Sequence, residues 1–595
     1  MRKLNSSHWE NVEELEGLLF FAQVIDEMLF DYTLDSYKPL ALNCRLLCVE
    51  CLSTIEEVRN GFMPKKNLQS IIEELRWSLD KDWAAKELLG KKFDFYKLQL
   101  KPNDIKLNEL ENTISFLYNH FNDKKYLEQI KITLKSYIEN KKEKSKIKYL
   151  TGSLLTELIN YGYHPHHIDY QNYQHFFNSS KKSKIDNIDN LNEFFSIFNF
   201  ESSEYTVVFI GSILFKEFKK TLNGYNIVVT KTYNCFSKIK EDIDFEKSRL
   251  DLESFIICSK VKDLDHHSAM ESSEKFLGQV TNLFNFFHHK QKPEIKDKCV
   301  VSRNSDNYVV VIDKPIKSVL KTKNDEYPDV AAQSVEKVLE TLELRRESTY
   351  RFSRSIDLHS AALTASALEN QILDLWAALE TLIPKSIESN QDRIVQLSEK
   401  LIPFLQINYI EKQFKELLSN LKNWNKEYLE SLLNEVKCGI TANDLEKIAA
   451  LITLSDNKNL RLELYKELKD YPLLKNRIYS IHQLLNSPKN IKKALKNHEI
   501  KLNWHLRRIY RTRSLIVHSG SYPTYTPILI EHLHNYLDIL ISKVVELVGE
   551  MSIDTLEQVI LEVKIILDYH NDLLEKHISE DLTLENYKES LLGIE

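Results

Sequence analysis

Leu502–Gly520, LNWHLRRIYRTRSLIVHSG, places Leu502, Leu506, Ile509 and Ile516 on one stripe at helical spacing, and Arg513 falls on the same stripe. Such a stripe turns inward against other helices, so the stretch is predicted to end a core helix running over 489–518. Gly520 stands just past that helix, where a left-handed residue closes it, leaving His518 at an open helix terminus. At about 100° per residue Arg507, Arg511 and Ser514 share the face of His518, while Arg513 lies about 140° away.

The same period recurs outward from this segment. Downstream, helices are predicted at 526–548 and 553–577; upstream, at 391–406, 409–436, 442–453, 460–469 and 472–486. A broad stripe of Leu358, Ala361, Ala362, Ala365, Leu368, Ile372, Leu375, Trp376 and Leu379 predicts one long core helix ending before Pro384. Residues 8 to about 175 also read as helices, among them Val12–Met28. Between these regions the pattern changes. Tyr205–Phe215, Tyr225–Tyr233, Ser254–Val261 and Tyr308–Asp313 are β-branched runs, with a helix-like stretch at Ala269–His288. The expected fold class is mainly α, with a C-terminal helical bundle, a helical N-terminal region and a small α+β module in the middle. The expected domains are 1–177, 191–330 and 335–595, and the polar run Asn178–Asn190 is the linker candidate.

Composition supports helices and removes several functions. The 595 residues hold 12 Gly and 13 Pro, each about 2% against usual levels of about 7% and about 5%. No two glycines lie closer than ten residues, so no Walker A loop, dinucleotide fingerprint, kinase loop or G-x-S-x-G elbow can be written. Seven scattered cysteines point to reduced thiols and a cytoplasmic protein. The first residues lack the apolar core of a secretion signal, and no apolar stretch of membrane-spanning length is present, so a soluble chain without membrane contact is expected.

Three groups suggest metals and each has a plainer reading. Cys44, Cys48 and Cys51 carry the C-x3-C-x2-C spacing of iron–sulfur sites, but the same spacing is one face of a helix flanked by leucines. His164, His166 and His167, with the pairs His266-His267 and His288-His289, read as surface or loop histidines, because no HExxH or CxxC set accompanies them. Glu294-Ile295-Lys296 with Asp265 distantly suggests a metal-dependent nuclease. No metal and no cofactor is expected.

Lys475–Arg513 holds eleven basic residues and one acid, Glu499, a local +10 in a chain of formal charge −7. That concentration is the footprint of a polyanion partner, and Trp504 and Tyr510 are candidates to stack on bases. Lys492, Lys493, Lys496, Arg507 and Arg508 are the expected RNA contacts.

The basic segment runs into Arg513-Ser514-Leu-Ile-Val-His518-Ser-Gly520. Here the chain resembles the HEPN (higher eukaryote and prokaryote nucleotide-binding) superfamily, whose ribonucleases carry an Arg, four to six residues, then a His near a helix end. The bare spacing also occurs at Arg2/His8, Arg354/His359 and Arg477/His482; the helix, the apolar triplet and the Ser-Gly select Arg513 and His518. Leu358-His359-Ser-Ala-Ala-Leu363 and Leu375-Trp376-Ala-Ala-Leu379-Glu380 resemble the opening helix of the Apea-like HEPN branch found in bacterial defence proteins. The resemblance covers roughly 340–550 and identifies 335–595 as a HEPN-like domain. One departure is Ser514, where many members carry Asn or another polar amide; its hydroxyl can still bond phosphate.

The resemblance implies a metal-independent RNA endonuclease, a toxin-like effector of antiphage defence, acting as a homodimer or higher homo-oligomer through the C-terminal domain and leaving 2′,3′-cyclic phosphate ends. It assigns catalysis to Arg513 and His518; periodicity alone selects Arg511. Ser514, Arg511 and Glu380 are supporting residues, Glu380 as the carboxylate expected to pair with a partly buried Arg513. The alternative is a HEPN module that only dimerises or binds RNA while the N-terminal region senses. A third reading, a metal nuclease, centres on the 200–320 module.

Overall fold

The computed structural model describes residues 4–30, 33, 37–140, 143–180, 184–236, 240–306, 308–321, 325–385, 392–439, 442–551 and 553–593. It is mainly helical with one five-stranded antiparallel sheet in mid-chain, as expected. Among the described residues no helix is long and apolar enough to cross a membrane. The chain forms two compact units, one of residues 1–154, 182–186 and 318–595 and one of residues 155–181 and 187–317. Part of the expected linker, residues 181–183, lies outside the described residues.

The first unit is built on the helix Pro488–Ser519, whose 32 residues span about 48 Å. Pro488 occupies the first turn, and the Ser487 hydroxyl accepts the Asn490 N–H at 3.3 Å. The length lets one helix serve two cores. Ile491, Ala494 and Leu495 pack with the helices Tyr409–Asn434, Asp444–Thr453 and Pro472–Leu485. Leu502, Leu506, Ile509 and Ile516 pack with Leu368–Leu382, Arg393–Ile407, Thr526–Glu550 and Leu556–Lys576 around Trp376.

The expected single helix through Leu358–Leu379 is instead two, Arg346–Thr364 and Leu368–Leu382. Ala365 and Ala367 are extended (φ −58, ψ 138 and φ −88, ψ 134), and the second helix folds back so that Ser355 Oγ donates to the Ala378 carbonyl at 3.1 Å. Polar side chains make the break affordable: Thr364 Oγ1 donates back to the Ala361 carbonyl, and Gln371 Nε2 satisfies the Ala365 carbonyl at 2.9 Å.

The N-terminal helices, expected as a domain of their own, share this unit. Gln23, on the helix Glu16–Leu29, donates to the Asp470 carbonyl at 3.0 Å and accepts the Leu473 N–H at 3.1 Å. Glu27 on the same helix pairs with the buried Arg477, whose guanidinium lies 4.0 Å over the Tyr37 ring. These contacts close a chain separation of about 450 residues.

In the second unit the strands run β1 Ser203–Ser212, β2 Ile227–Thr230, β3 Glu253–Asp263, β4 Ile295–Arg303 and β5 Tyr308–Asp313, in sheet order β2-β3-β1-β4-β5. Alternation along β1 sends Val207 and Phe209 to the face covered by the helix His266–Phe287, and Val208 and Ile210 to the face holding Tyr233 and Phe245. At Gly211 any side chain would meet Ile256 and the Glu294 carbonyl, so glycine there permits the β4 crossing.

Candidate active site

The end of the long helix takes the geometry expected of it. Gly520 has φ +66 and its N–H bonds the Ile516 carbonyl at 3.0 Å, so the helix stops in a left-handed turn and His518 stands exposed in its last turn. The imidazole is stacked on Phe62, with ring centroids 5.5 Å apart and planes 15° apart. Phe62 is itself 49% exposed and lies between the helices Cys44–Arg59 and Asn67–Lys81.

Five residues earlier, Arg513 is half-buried and has no hydrogen-bond or ion-pair partner among the described residues. The expected pairing with Glu380 does not form. Glu380 faces Arg393 instead, at 3.8 Å, and Arg393 also donates to the Glu380 and Ile383 carbonyls at 2.9 and 2.6 Å. Arg393 is the first residue of the helix Arg393–Ile407, and its guanidinium takes the place beside Glu380 that Arg513 was expected to fill. Ser514 is buried.

Arg511 and Arg508 are not available to a phosphate. Arg511 donates to Glu50 at 2.8 and 3.2 Å and to Ser70 Oγ at 3.0 Å. Arg508 donates to Glu50 at 3.2 Å and to Glu74. Two guanidinium and two carboxylate groups thus form a buried network of zero net charge, which corrects the expectation that Arg508 contacts RNA and that Arg511 supports the site. Burial pushes the Glu50 carboxyl up, but Arg508 and Arg511 outweigh it and hold it below the ordinary glutamate value. Burial dominates at Glu74, raising it despite Arg508.

Two of the remaining lysines are paired with carboxylates as well. Lys492 pairs with Glu575 and Lys496 with Glu499 at 2.9 Å, leaving Lys493 exposed and without an acidic partner among the described residues. Arg507 is half-buried, donates to Asn503 at 3.1 Å, and is held below the usual guanidinium value by burial and then by Arg511. Trp504 is buried beside Trp77, ring centroids 5.9 Å apart, and Tyr510 packs half-buried against Trp376, so neither expected stacking residue presents a free face. Phe62 does, and no local signal in its own segment marks it.

The other sequence candidates resolve differently. Cys44, Cys48 and Cys51 are buried on one helix; burial raises all three thiols, Cys51 to about 12, the signature of core residues. The HPHH and HH segments, expected at the surface, come together at two helix starts. His164 Nδ1 accepts the His166 N–H at 3.2 Å, the His164 N–H donates to Asp265 at 2.9 Å, and the His164 and His267 rings lie 5.2 Å apart. Burial lowers His167, His266 and His267 to about 4, so these rings pack as neutral groups, while His288 and His289 are exposed. Asp265 and Glu294 do not meet: β1 pairs Ser203 with Asp263 and Gly211 with Ile295, eight residues and about 26 Å apart along the strand.

Among the described residues one histidine–carboxylate group has its ligand atoms close enough to hold an ion: His359, His534 and Asp538. Compared with known proteins, the chain matches no family model, no curated protein and no solved structure.

Proposed function

We propose that the protein is a metal-independent RNA endonuclease in which Arg513 and His518 act on the phosphodiester. The observation that carries this reading is the contrast along one helix: Arg508 and Arg511 are held by carboxylates and Arg507 by Asn503, whereas Arg513 is unpartnered and His518 is open to solvent at the helix end.

RNA brings its own nucleophile. His518 takes the proton of the ribose 2′-hydroxyl, the 2′-oxygen bonds to phosphorus, and the bond to the 5′-oxygen breaks, giving a 2′,3′-cyclic phosphate and a 5′-hydroxyl. Imidazole suits the step because its ordinary pKa of about 6.5 lets it exchange protons near neutral pH. Arg513 offers a planar fork of donors to the charge that builds on the phosphorane. Phe62 provides the aromatic face on which a neighbouring base stacks.

Arg513 and His518 point about 140° apart around the helix, so one chain presents them to different directions. A homodimer joined through the C-terminal helices lets the arginine of one copy serve the phosphate held by the histidine of the other, and supplies a second imidazole to protonate the 5′-oxygen. In a cell such an enzyme is a toxin-like effector, as expected of an antiphage defence protein.

The test is cleavage of a single-stranded RNA by purified parent, Arg513→Ala and His518→Ala proteins, with the two variants also mixed after co-expression. Each variant alone is expected to lose at least 100-fold in rate while staying folded, and the mixture to recover part of it. Cleavage that persists in His518→Ala refutes the reading. RNA binding that survives with no cleavage by the parent favours a binding module instead.

A further inference from the structure

His534 and Asp538 sit four residues apart on one face of the helix Thr526–Glu550, and His359 meets them from the helix Arg346–Thr364. The Nε2 atoms of the two imidazoles lie 2.7 Å apart, and Asp538 Oδ1 lies 3.4 Å from each. His534 is buried, with its side chain 5% exposed, while the side chains of His359 and Asp538 keep 20%, so the group opens to solvent on one side only.

His534 also bonds the Val319 backbone. With one ring nitrogen donating to that carbonyl, the nitrogen facing His359 carries a lone pair when the ring is neutral and accepts from His359 Nε2 at 2.7 Å. Asp538 Oδ1, 3.4 Å from both ring nitrogens, adds negative charge on the same side. Two imidazole nitrogens and one carboxylate oxygen therefore converge on one point, all within 4.8 Å of one another, where a cation can take the place of the shared proton.

The spacing suits a small divalent ion. Tetrahedral bonds of about 2.0–2.1 Å put neighbouring ligand atoms about 3.3–3.4 Å apart, which is the distance from Asp538 to each ring; the two nitrogens need to part by only about 0.6 Å. The Val319 carbonyl is the outer partner that fixes the tautomer and orientation of a ligating imidazole. Val319 itself is fully buried in the core that the two helices share, so this partner is rigidly held.

We infer that His359, His534 and Asp538 form a binding site for one divalent transition-metal ion of the zinc class, which clamps the helix Arg346–Thr364 to the helix Thr526–Glu550. Two imidazoles and one carboxylate are a donor set for Zn2+ or Fe2+ rather than for Mg2+ or Ca2+, which prefer all-oxygen sites. The three protein ligands leave a fourth position for solvent on the exposed side. The site is separate from the residues proposed to act on RNA, and its test does not use cleavage.

The test is elemental analysis of full-length protein purified without chelator, followed by titration of chelator-treated protein with Zn2+ while thermal unfolding is recorded. The expected result is about one equivalent of zinc or iron per chain, and a midpoint that falls on chelation and returns with Zn2+. His359→Ala with Asp538→Asn is expected to abolish both the metal and the Zn2+-dependent shift. Circular dichroism of that variant matching the parent shows that the loss is not unfolding. His534→Gln, which keeps a polar group at the buried position, should behave the same way. Less than about a tenth of an equivalent of any transition metal together with no Zn2+-dependent shift would overturn the inference, as would metal content unchanged in the double variant.

Discussion

At the residue scale the decisive distinction is between arginines that look alike in sequence. Arg511 shares its helix face with His518, yet it is locked to Glu50 and Ser70; Arg513 lies on the apolar stripe and is left unpartnered. The two substitutions should therefore separate stability from activity. Arg511→Ala strands part of the Glu50 charge in the interior and is expected to cost about 3–5 kcal/mol in chemical denaturation, whereas Arg513→Ala should leave stability nearly unchanged while abolishing RNA cleavage. The carboxylates of the same network differ too. Glu50 titrates below its unfolded value, so its ionisation stabilises the fold above about pH 4.3, and that contribution disappears as pH falls through its lower folded pKa. Glu74 titrates above its unfolded value, so stability from its protonated form is lost as pH rises through the folded pKa. At pH 7, Glu50→Gln should therefore destabilise more than Glu74→Gln, and urea denaturation should show the gap narrowing as the pH drops below about 4.

At the scale of elements, the end of the long helix and its neighbour at Phe62 define the candidate site. Gly520 is open on all sides, so a side chain there meets no atom and Gly520→Ala acts through φ +66 alone, an expected loss of about 1 kcal/mol in thermal unfolding. Phe62→Ala should weaken binding of single-stranded RNA by about 1–3 kcal/mol in a fluorescence-anisotropy titration, with the fold intact. Much of this scale was legible. The helices Arg393–Ile407, Pro472–Leu485 and Thr526–Glu550 end within two or three residues of their expected bounds, because each carries an apolar stripe, and the last two have Pro in the first turn. Other elements were not, two of them for clear reasons. β4 begins Ile295-Lys-Asp-Lys298, a polar start that masks Cys299, Val300 and Val301 at its core. The break at Ala365–Ala367 holds no Gly or Pro, and its stripe runs on through the gap as though the helix were continuous.

At the scale of the whole molecule, residues 1–154 are structurally part of the C-terminal region, and part of the positive charge of the basic segment is met by Glu27, Glu50, Glu74, Glu499 and Glu575. Charge counted along the chain pointed to a polyanion, but four of these five carboxylates lie far away in sequence. Pairings such as Arg511 with Glu50, 461 residues apart, leave no local pattern to read, and the same holds for Phe62 against His518. His534 and Asp538 did leave a trace, the i, i+4 spacing on one helix face, but their third partner comes from another helix. Whether the open His518 and the unpartnered Arg513 cut RNA is read by sequencing RNA ends from cells expressing the parent or His518→Ala protein at equal levels. The expected result is 2′,3′-cyclic phosphate and 5′-hydroxyl ends that appear with the parent and vanish with the variant. The same ends in both, or 3′-hydroxyl ends produced by the parent, would contradict it.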